Sequence, residues 1–318
     1  MKKLIDLIGN AKRAAIAGHE NPDGDCAGSC LALYNYLKEA YPCLETDVYL
    51  EKLPASYTFL AGSEEIKGEA GTEPYDLFFA LDSGDRDRIG IAGELFDTAS
   101  LKVCVDHHIS NVGFADVNII VPSASSTSEL IYELIEQDGG VFPRDIAEAL
   151  YLGIIQDTGV FQYSCTGPRT MEIAGNLISK GIDFTKIIEE TFFQKTFIQN
   201  RLLGEALASC ELTEDGKSVY SVTSLDQLAK YNADSSDLDG IVSQLRETKG
   251  VDLAIFLYEK EPGSYKVSMR SSDAVDVSAI ALKLGGGGHK KAAGCSAFGT
   301  TKEIIENILS LAKAPLKS

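Results

Sequence analysis

Four short clusters carry the residue types that hold metals and handle phosphate. The first is His19-Glu20-Asn21-Pro22-Asp23-Gly24-Asp25, an imidazole and two carboxylates at spacing H-x-x-x-D-x-D. The second is Asp82, the third Asp106-His107-His108, and the fourth Asp157-Thr158-Gly159. One D-x-D alone is an ordinary solvated loop, and one D-T-G an ordinary helix-ending turn. Number and placement argue for more. The chain has only 4 histidines, at 19, 107, 108 and 289, and each stands within two residues of Asp or Gly rather than in an apolar helical stripe. Asp85-Arg86-Asp87-Arg88, by contrast, reads as a solvated charged turn.

Asp23, Asp25, Asp82 and Asp157 with His19 and His107 form a mixed carboxylate and imidazole donor set without thiolate. Such a set suits Mn²⁺, Mg²⁺ or Fe²⁺ better than structural Zn²⁺. Six protein ligands are more than one catalytic ion needs if water and substrate are also to bind. They suit two ions roughly 3.5–4 Å apart that share a carboxylate. Two divalent ions are therefore expected, Mn²⁺ favoured. No Ser or Cys stands with a paired base, so no covalent protein intermediate is expected.

The elements that must position these residues are legible around them. The apolar run Ala14–Gly18 predicts a strand before the first cluster, and Cys26–Glu39 a helix after it. Strands are also expected at Thr46–Leu50, Asp76–Leu81, Leu101–Val105 and Asp116–Val121. Asp82 and Asp106-His107-His108 thus end apolar strands, where open α/β sheets put their ligand sites. Helices are expected at Ser126–Gln137, Asp145–Ile155 and Thr170–Ser179. Continuous apolar strands alternating with helices predict a parallel sheet covered on both faces.

A chain of 318 residues predicts two domains. The expected division is a metal-binding domain over 1–185, a helical connector over 186–209 and a smaller mixed α/β domain over 210–318. The last should hold strands at Ser218–Val222, Asp252–Tyr258, Tyr265–Arg270 and Ala292–Phe298. Its helices should lie at Ser236–Glu247, Asp276–Leu284 and Thr301–Leu311, with a glycine loop at Gly285–His289.

Charge narrows the partners. Residues 1–185 carry 13 Lys/Arg against 29 Asp/Glu, whereas residues 186–318 carry 16 against 18. An acidic first half repels nucleic acid in bulk and membrane phosphates, yet gathers cations. Long duplexes are not expected as partners, because Lys/Arg contacts to phosphate dominate that affinity. Seven cysteines form no C-x-x-C pair, so no disulfide framework is expected. No apolar run nears the ~20 residues of a membrane span. Asp6 interrupts the first short apolar run, so no signal peptide is expected there. A cytoplasmic protein is expected.

The cluster set resembles the DHH phosphoesterase superfamily, named for the triplet seen here at 106–108. Gly285–His289 with Ala292-Ala293-Gly294 resembles the signature of its associated C-terminal domain. Length and order are similar to the NrnA-like branch, nanoRNases that also dephosphorylate 3′-phosphoadenosine 5′-phosphate (pAp). The resemblance implies that His19 and Asp23 hold one metal, with Asp82 bridging. Asp25, His107 and Asp157 would then hold the second. Asp106 would support His107, and His108 would face the scissile phosphate. Arg270, His289 and the backbone of Gly285, Gly286, Gly287 and Gly288 would bind the substrate's phosphate or terminal nucleotide, in a cleft between the domains. Gln156 and Gln162 depart from the residues common in relatives, which bears on substrate preference rather than on the metal set. Ser125-Ser126-Thr127 resembles a motif of these proteins and reads equally as a helix N-cap. The implied substrates are short single-stranded RNA and small nucleotides, the implied assembly a homodimer. A linear or cyclic dinucleotide phosphodiesterase is the enzymatic alternative. A non-catalytic nucleotide sensor is the alternative of another class.

Overall fold

The computed structural model describes residues 3–313, with the His289 side chain outside the described atoms. The chain forms two units, Met1–Gln194 and Lys195–Ser318.

The first unit runs α1 (Leu4–Ile8), β1 (Arg13–Ala17), α2 (Gly24–Ala40), β2 (Glu45–Tyr49), β3 (Leu77–Leu81), α3 (Gly93–Thr98), β4 (Leu101–Asp106) and β5 (Val117–Ile120). Then come α4 (Thr127–Gln137), α5 (Arg144–Asp157), α6 (Pro168–Ile178) and α7 (Phe184–Ile188). All five strands are parallel, in the order β2-β1-β3-β4-β5. The inner strands β1, β3 and β4 are largely buried on both faces, which is why they read as apolar runs. Ile16, Phe79 and Val103 point into a core shared with α2, α4 and α5. Ala15, Phe78 and Ala80 point the other way, against Tyr75, Leu95 and Phe96. The chain leaves β1 to one side for β2 and returns on the other as β3. The strand ends therefore diverge at β1/β3, the switch point where such sheets bind ligands.

Glycines set how closely α2, α4 and α5 approach. A Cβ at Gly28 would lie 2.3 Å from the Ala149 carbonyl oxygen, and one at Gly153 would lie 2.0 Å from Ser128 Oγ. No side chain fits either position, so α2 meets the backbone of α5 at Gly28, and Gly153 leaves room for the side chains of Ser128 and Asp25.

The second unit runs α8 (Phe197–Ala208), β6 (Glu211–Leu212), β7 (Ser218–Thr223), α9 (Leu225–Tyr231), α10 (Ile241–Arg246), β8 (Leu253–Glu261) and β9 (Ser264–Ser271). It ends with α11 (Val277–Lys283), β10 (Gly287–His289), β11 (Ala292–Phe298) and α12 (Thr301–Lys313). The sheet order is β10-β11-β9-β8-β7-β6, antiparallel except for β7–β8. One face packs on α11 and α12, the other on α8 and α10.

Several expectations are revised. The chain divides at Gln194/Lys195, inside the segment expected as a connector. Ile187 and Ile188 of α7 pack in the first core, whereas Leu202 and Ala206 of α8 pack in the second. The helix expected over Ser236–Glu247 is broken into a 3₁₀ turn, Ser235–Leu238, and α10. Gly240 interrupts it with a φ of 85°, a left-handed conformation that glycine adopts without cost. The glycine loop is partly a strand, since Gly287–His289 pairs with β11. Four of the seven cysteines, 26, 30, 104 and 295, are buried, and all seven are free thiols. Among the described residues no helix is long and apolar enough to cross a membrane.

Candidate metal centre

Three neighbouring strands end at the centre. His19 follows β1, Asp82 follows β3, and Asp106 closes β4 with His107 next. Neighbouring strands lie about 4.8 Å apart. Adjacent strand ends therefore set ligands at a separation that a shared cation can span.

The His19 loop is tied down by its backbone. The Glu20 amide donates to the Arg88 carbonyl at 2.8 Å, and the Asn21 amide to Glu51 Oε2 at 2.8 Å. His19 Nδ1–H donates to the Glu20 carbonyl at 2.7 Å, which turns Nε2 inward. Nε2 lies 3.7 Å from Asp23 Oδ1 and 3.6 Å from Asp82 Oδ2. Asp23 is also the N-cap of α2, accepting from the amides of Asp25 and Cys26.

Asp82 adopts a φ of 53°, which turns its carboxylate across the strand ends. Asp tolerates this left-handed conformation better than most residues. Its Oδ2 faces His19, while Oδ1 lies 3.7 Å from His107 Nε2 and accepts from Thr127 Oγ1 at 3.1 Å. One buried carboxylate thus stands between two sets of donors.

Asp25 is fully buried, and its charge is met by a helix N-terminus. Oδ2 accepts from the Thr127 amide at 2.6 Å and Oδ1 from the Ser128 amide at 2.8 Å, both in the first turn of α4. Free amides and the positive end of a helix dipole stabilise a carboxylate there. Ser126 caps α4 through the Glu129 amide. The Ser125–Thr127 stretch is therefore both a cap and, through Thr127, a clamp on Asp25 and Asp82. Asp157 arrives from the far end of α5, as its last residue rather than in a loop after it. Its Oδ2 lies 2.9 Å from His107 Nε2.

The DHH triplet divides its work differently from the expectation. Asp106 reaches His107 only through the backbone amide, at 2.8 Å. Its carboxylate accepts from the His108 ring, Nδ1 to Oδ1, at 2.6 Å. Asp106 therefore orients His108 rather than the His107 ring. Asn111 fixes Asp106 in turn, donating from Nδ2 to Oδ2 at 2.7 Å. No local sequence pattern marked Asn111 or Ser128. Only the D-H-H-x-x-N spacing hints at the first.

The electrostatics fit a bound cation. Donor atoms lie within 4.8 Å of one another in three groups: His19, Asp23 and Asp82; Asp25, His107 and Asp157; and Asp82, His107 and His108. Burial pulls the His19 imidazolium towards neutrality, but Asp23 and Asp82 outweigh it and hold its pKa at about 12. Burial acts the same way on His107, and Asp157, Asp25 and Asp82 raise it to about 10. Burial, reinforced by the charges of Asp82 and Asp157, lifts the Asp25 carboxyl well above its usual range. Protons are held where positive charge is wanted, and the carboxylates still outnumber them. Oxygen and nitrogen donors with no thiolate among them suit a hard or borderline divalent ion.

The other expected residues lie in the second unit. Arg270 is on β9, opposite Ala292, with its guanidinium donating to the Met269 carbonyl at 3.1 Å. Gly286 and Gly288 answer to packing: a Cβ at either would lie 2.1 Å and 2.5 Å from β11 carbonyl oxygens. Gly285 and Gly287 have open space at that position. The His289 side chain lies outside the described residues. Gln156 packs on Gly24 and accepts from the Tyr57 hydroxyl at 3.4 Å, and Gln162 is exposed.

Similarity to known proteins follows the same division. Residues 13–154 match the N-terminal domain of the DHH family, and residues 215–318 match the DHHA1 domain. A bifunctional oligoribonuclease and PAP phosphatase NrnA from Thermus thermophilus is 32% identical over 307 residues, 95% of this chain and 89% of the relative. A protein of the same description from Bacillus subtilis is 29% identical over 300 residues, 93% of each chain. The crystal structure of an exopolyphosphatase-related protein from Bacteroides fragilis is similar with a TM-score of 0.87 and 26% identity, over 96% of this chain and 93% of that one. On this full-length similarity the chain belongs to the DHH family of phosphoesterases, with a DHH domain followed by a DHHA1 domain.

Proposed function

We propose that the chain hydrolyses short RNA oligonucleotides to 5′-mononucleotides, and pAp to AMP, in the cytoplasm. The observation that carries this is Asp82, whose two oxygens face separate donor groups from adjacent strand ends. His19 and Asp23 would hold one ion, and Asp25, His107 and Asp157 a second, with Asp82 shared. Two divalent ions, Mn²⁺ in this reading, would supply an activated water and neutralise charge on the phosphoryl oxygens. His108, its Nδ1–H committed to Asp106, presents Nε2 to a phosphate oxygen. Arg270, His289 and the open backbone at Gly285 and Gly287 would take the substrate's remote phosphate. The relatives described as oligoribonuclease and PAP phosphatase support the substrate choice.

The test is turnover of pAp beside an RNA ladder of about two to seven nucleotides, the short range that end contacts and stacking can read. Mononucleotides and AMP are expected. Chelation should abolish both activities, and Mn²⁺ should restore them better than Zn²⁺ or Ca²⁺. Full activity in metal-free protein would end the metal mechanism. Cleavage of linear or cyclic dinucleotides alone would replace the substrate assignment.

A further inference from the structure

The glycine of Asp157-Thr158-Gly159 has a role that the donor groups leave unexplained. Its φ of 55° favours glycine, and so does what lies over it. A Cβ at Gly159 would stand 2.5 Å from Tyr163 Cζ and 2.7 Å from both Cε1 and Cε2. Near-equal distances to three adjoining ring atoms put that point above the ring plane. A face of the Tyr163 ring therefore covers Gly159, and any side chain there would push the ring away.

The segment is shaped to bring this ring back. Val160 and Phe161 follow with φ of 54° and 66°. Left-handed backbone in a β-branched and an aromatic residue is costly, and persists only where the surroundings hold it. It splits two aromatic side chains. Phe161 turns inward, onto Tyr151 and the first core. Tyr163 folds back over the turn, its amide donating to the Thr158 carbonyl at 2.9 Å. The ring thus sits on the residue two after Asp157.

Packing does not account for the ring. Tyr163 is 57% exposed. Among the described residues it meets no other ring and no cation, and its hydroxyl makes no hydrogen bond. One face is seated on glycine while the side chain stays largely open to solvent. That is the form of a stacking platform, fixed in place yet free to receive a flat ring. A nucleotide whose phosphate is held at the metal centre carries its base one ribose away, within reach of this turn.

We propose that Tyr163 stacks on the base of the nucleotide that carries the reacting phosphorus. This rests on the phosphoesterase reading above and adds a contact in the first unit. Stacking engages the face that every base possesses, so the platform accepts short RNA of any sequence.

The chain contains no tryptophan, so Tyr163→Trp gives the protein a single indole whose emission reports on its own surroundings. In Mn²⁺, AMP should quench that emission strongly. Ribose 5-phosphate, which has the phosphate without the base, should hardly change it. All four mononucleotides should quench. In kinetics, Tyr163→Leu should raise KM about tenfold for a two-nucleotide RNA and for pAp, with a smaller change in kcat. Tyr163→Phe, which keeps the ring, should recover most of that loss. The thermal midpoint of Tyr163→Leu in chelator should match that of the wild type, because the ring is mostly exposed. AMP that binds by calorimetry without quenching would overturn the assignment. So would no AMP binding at all, equal quenching by ribose 5-phosphate, or a wild-type KM in Tyr163→Leu. If Tyr163→Leu loses its fold, the emission of Tyr163→Trp decides alone. Quenching by AMP in a chain that hydrolyses no RNA would keep the platform and break the substrate reading.

Discussion

In the first unit 31 acidic residues face 14 basic ones over residues 1–194, and the acids at the centre are drawn inward. Asp25, Asp82 and Asp106 are buried. In the second unit 16 face 15 over residues 195–318, and Lys266 stands exposed and Arg270 half-buried on a sheet face. The contrast shows how one chain meets two demands. Buried carboxylates are tolerable only when donors or cations compensate them, so Asp25 and Asp82 are clamped from the first turn of α4 and Asp106 by His107, His108 and Asn111. That clamping fixes where the carboxylates point. An exposed cation such as Lys266 needs no such clamp.

The sharpest way to break the comparison is Asp82→Ala. A carboxylate shared by two donor groups should cost about a thousandfold in kcat when removed. The fold should survive, because Asp82 raises the Asp25 carboxyl and its loss relieves that repulsion. In chelator the loss in stability should be small beside the loss in kcat: the Thr127 hydrogen bond, worth roughly 1 kcal/mol, and the carboxylate facing His19 and His107 are lost, while the repulsion on Asp25 is relieved. A wild-type kcat would end the shared-ligand role. A collapsed midpoint would make Asp82 a structural residue.

Smaller losses, of a different kind, are expected in the second unit. Arg270→Ala and His289→Ala should each lower kcat/KM for pAp and short RNA by about ten- to a hundredfold, mainly through KM. A small aryl phosphodiester, too short for a remote contact, should lose less than about threefold. Equal losses on all three substrates would move these residues to the reacting phosphorus, and the two units would no longer divide the task.

Much of the first unit was legible because its inner strands are largely buried on both faces. Apolar runs mark where β1, β3 and β4 stop, so His19, Asp82 and the triplet at 106–108 could be placed at strand ends. The clamps could not be read. Thr127 and Ser128 meet Asp25 across more than 100 residues, and only the spacing from the triplet hints that Asn111 reaches Asp106. In the second unit the glycine run read as a cradle for an anion. Half of it answers instead to the close approach of β11, at Gly286 and Gly288. The helix expected over 236–247 failed at Gly240, because a left-handed residue is invisible to apolar periodicity.

Acidity separates the units further. Asp157 is raised to about 6 by burial, opposed by His107 and reinforced by Asp82. Folded chain therefore keeps this proton between about pH 4 and 6, where unfolded chain has lost it. His107 behaves alike between its usual 6.5 and about 10. A raised folded pKa gives stability that is complete below the unfolded value and lost as pH rises through the folded one. Metal-free protein should thus lose stability from about pH 4 to 10, while the stabilisation by Mn²⁺ grows as protons leave the ligands. Thermal midpoints at pH 5, 7 and 9, in chelator and in Mn²⁺, check this. A Mn²⁺ increment that shrinks with pH would mean these groups are not ligands.

The smallest effect should come from the thiols. Cys43 and Cys165 are exposed, and Cys165 alone lies near the centre, its Sγ donating to the Asp157 carbonyl at 3.5 Å. The turn there is strained, with Gly159, Val160 and Phe161 all left-handed, a conformation β-branched Val rarely adopts. Thr158 holds that turn. Its hydroxyl donates to the Ile154 carbonyl at 2.5 Å and accepts from the Phe161 amide at 3.0 Å, and its carbonyl takes the amides of Gln162 and Tyr163. Cys165 adds one weak bond to a turn already fixed, and burial with the nearby Asp157 charge pushes its thiol up, away from the reactive thiolate. Cys165→Ser and alkylation by iodoacetamide should each change kcat less than about twofold, and substrate should give no protection. Thr158→Val, which removes both hydroxyl bonds, should cost about tenfold, as positional errors near a ligand do. If alkylation inactivates the enzyme and substrate prevents it, a cysteine belongs to the reaction after all. If Thr158→Val is silent, the turn does not position Asp157.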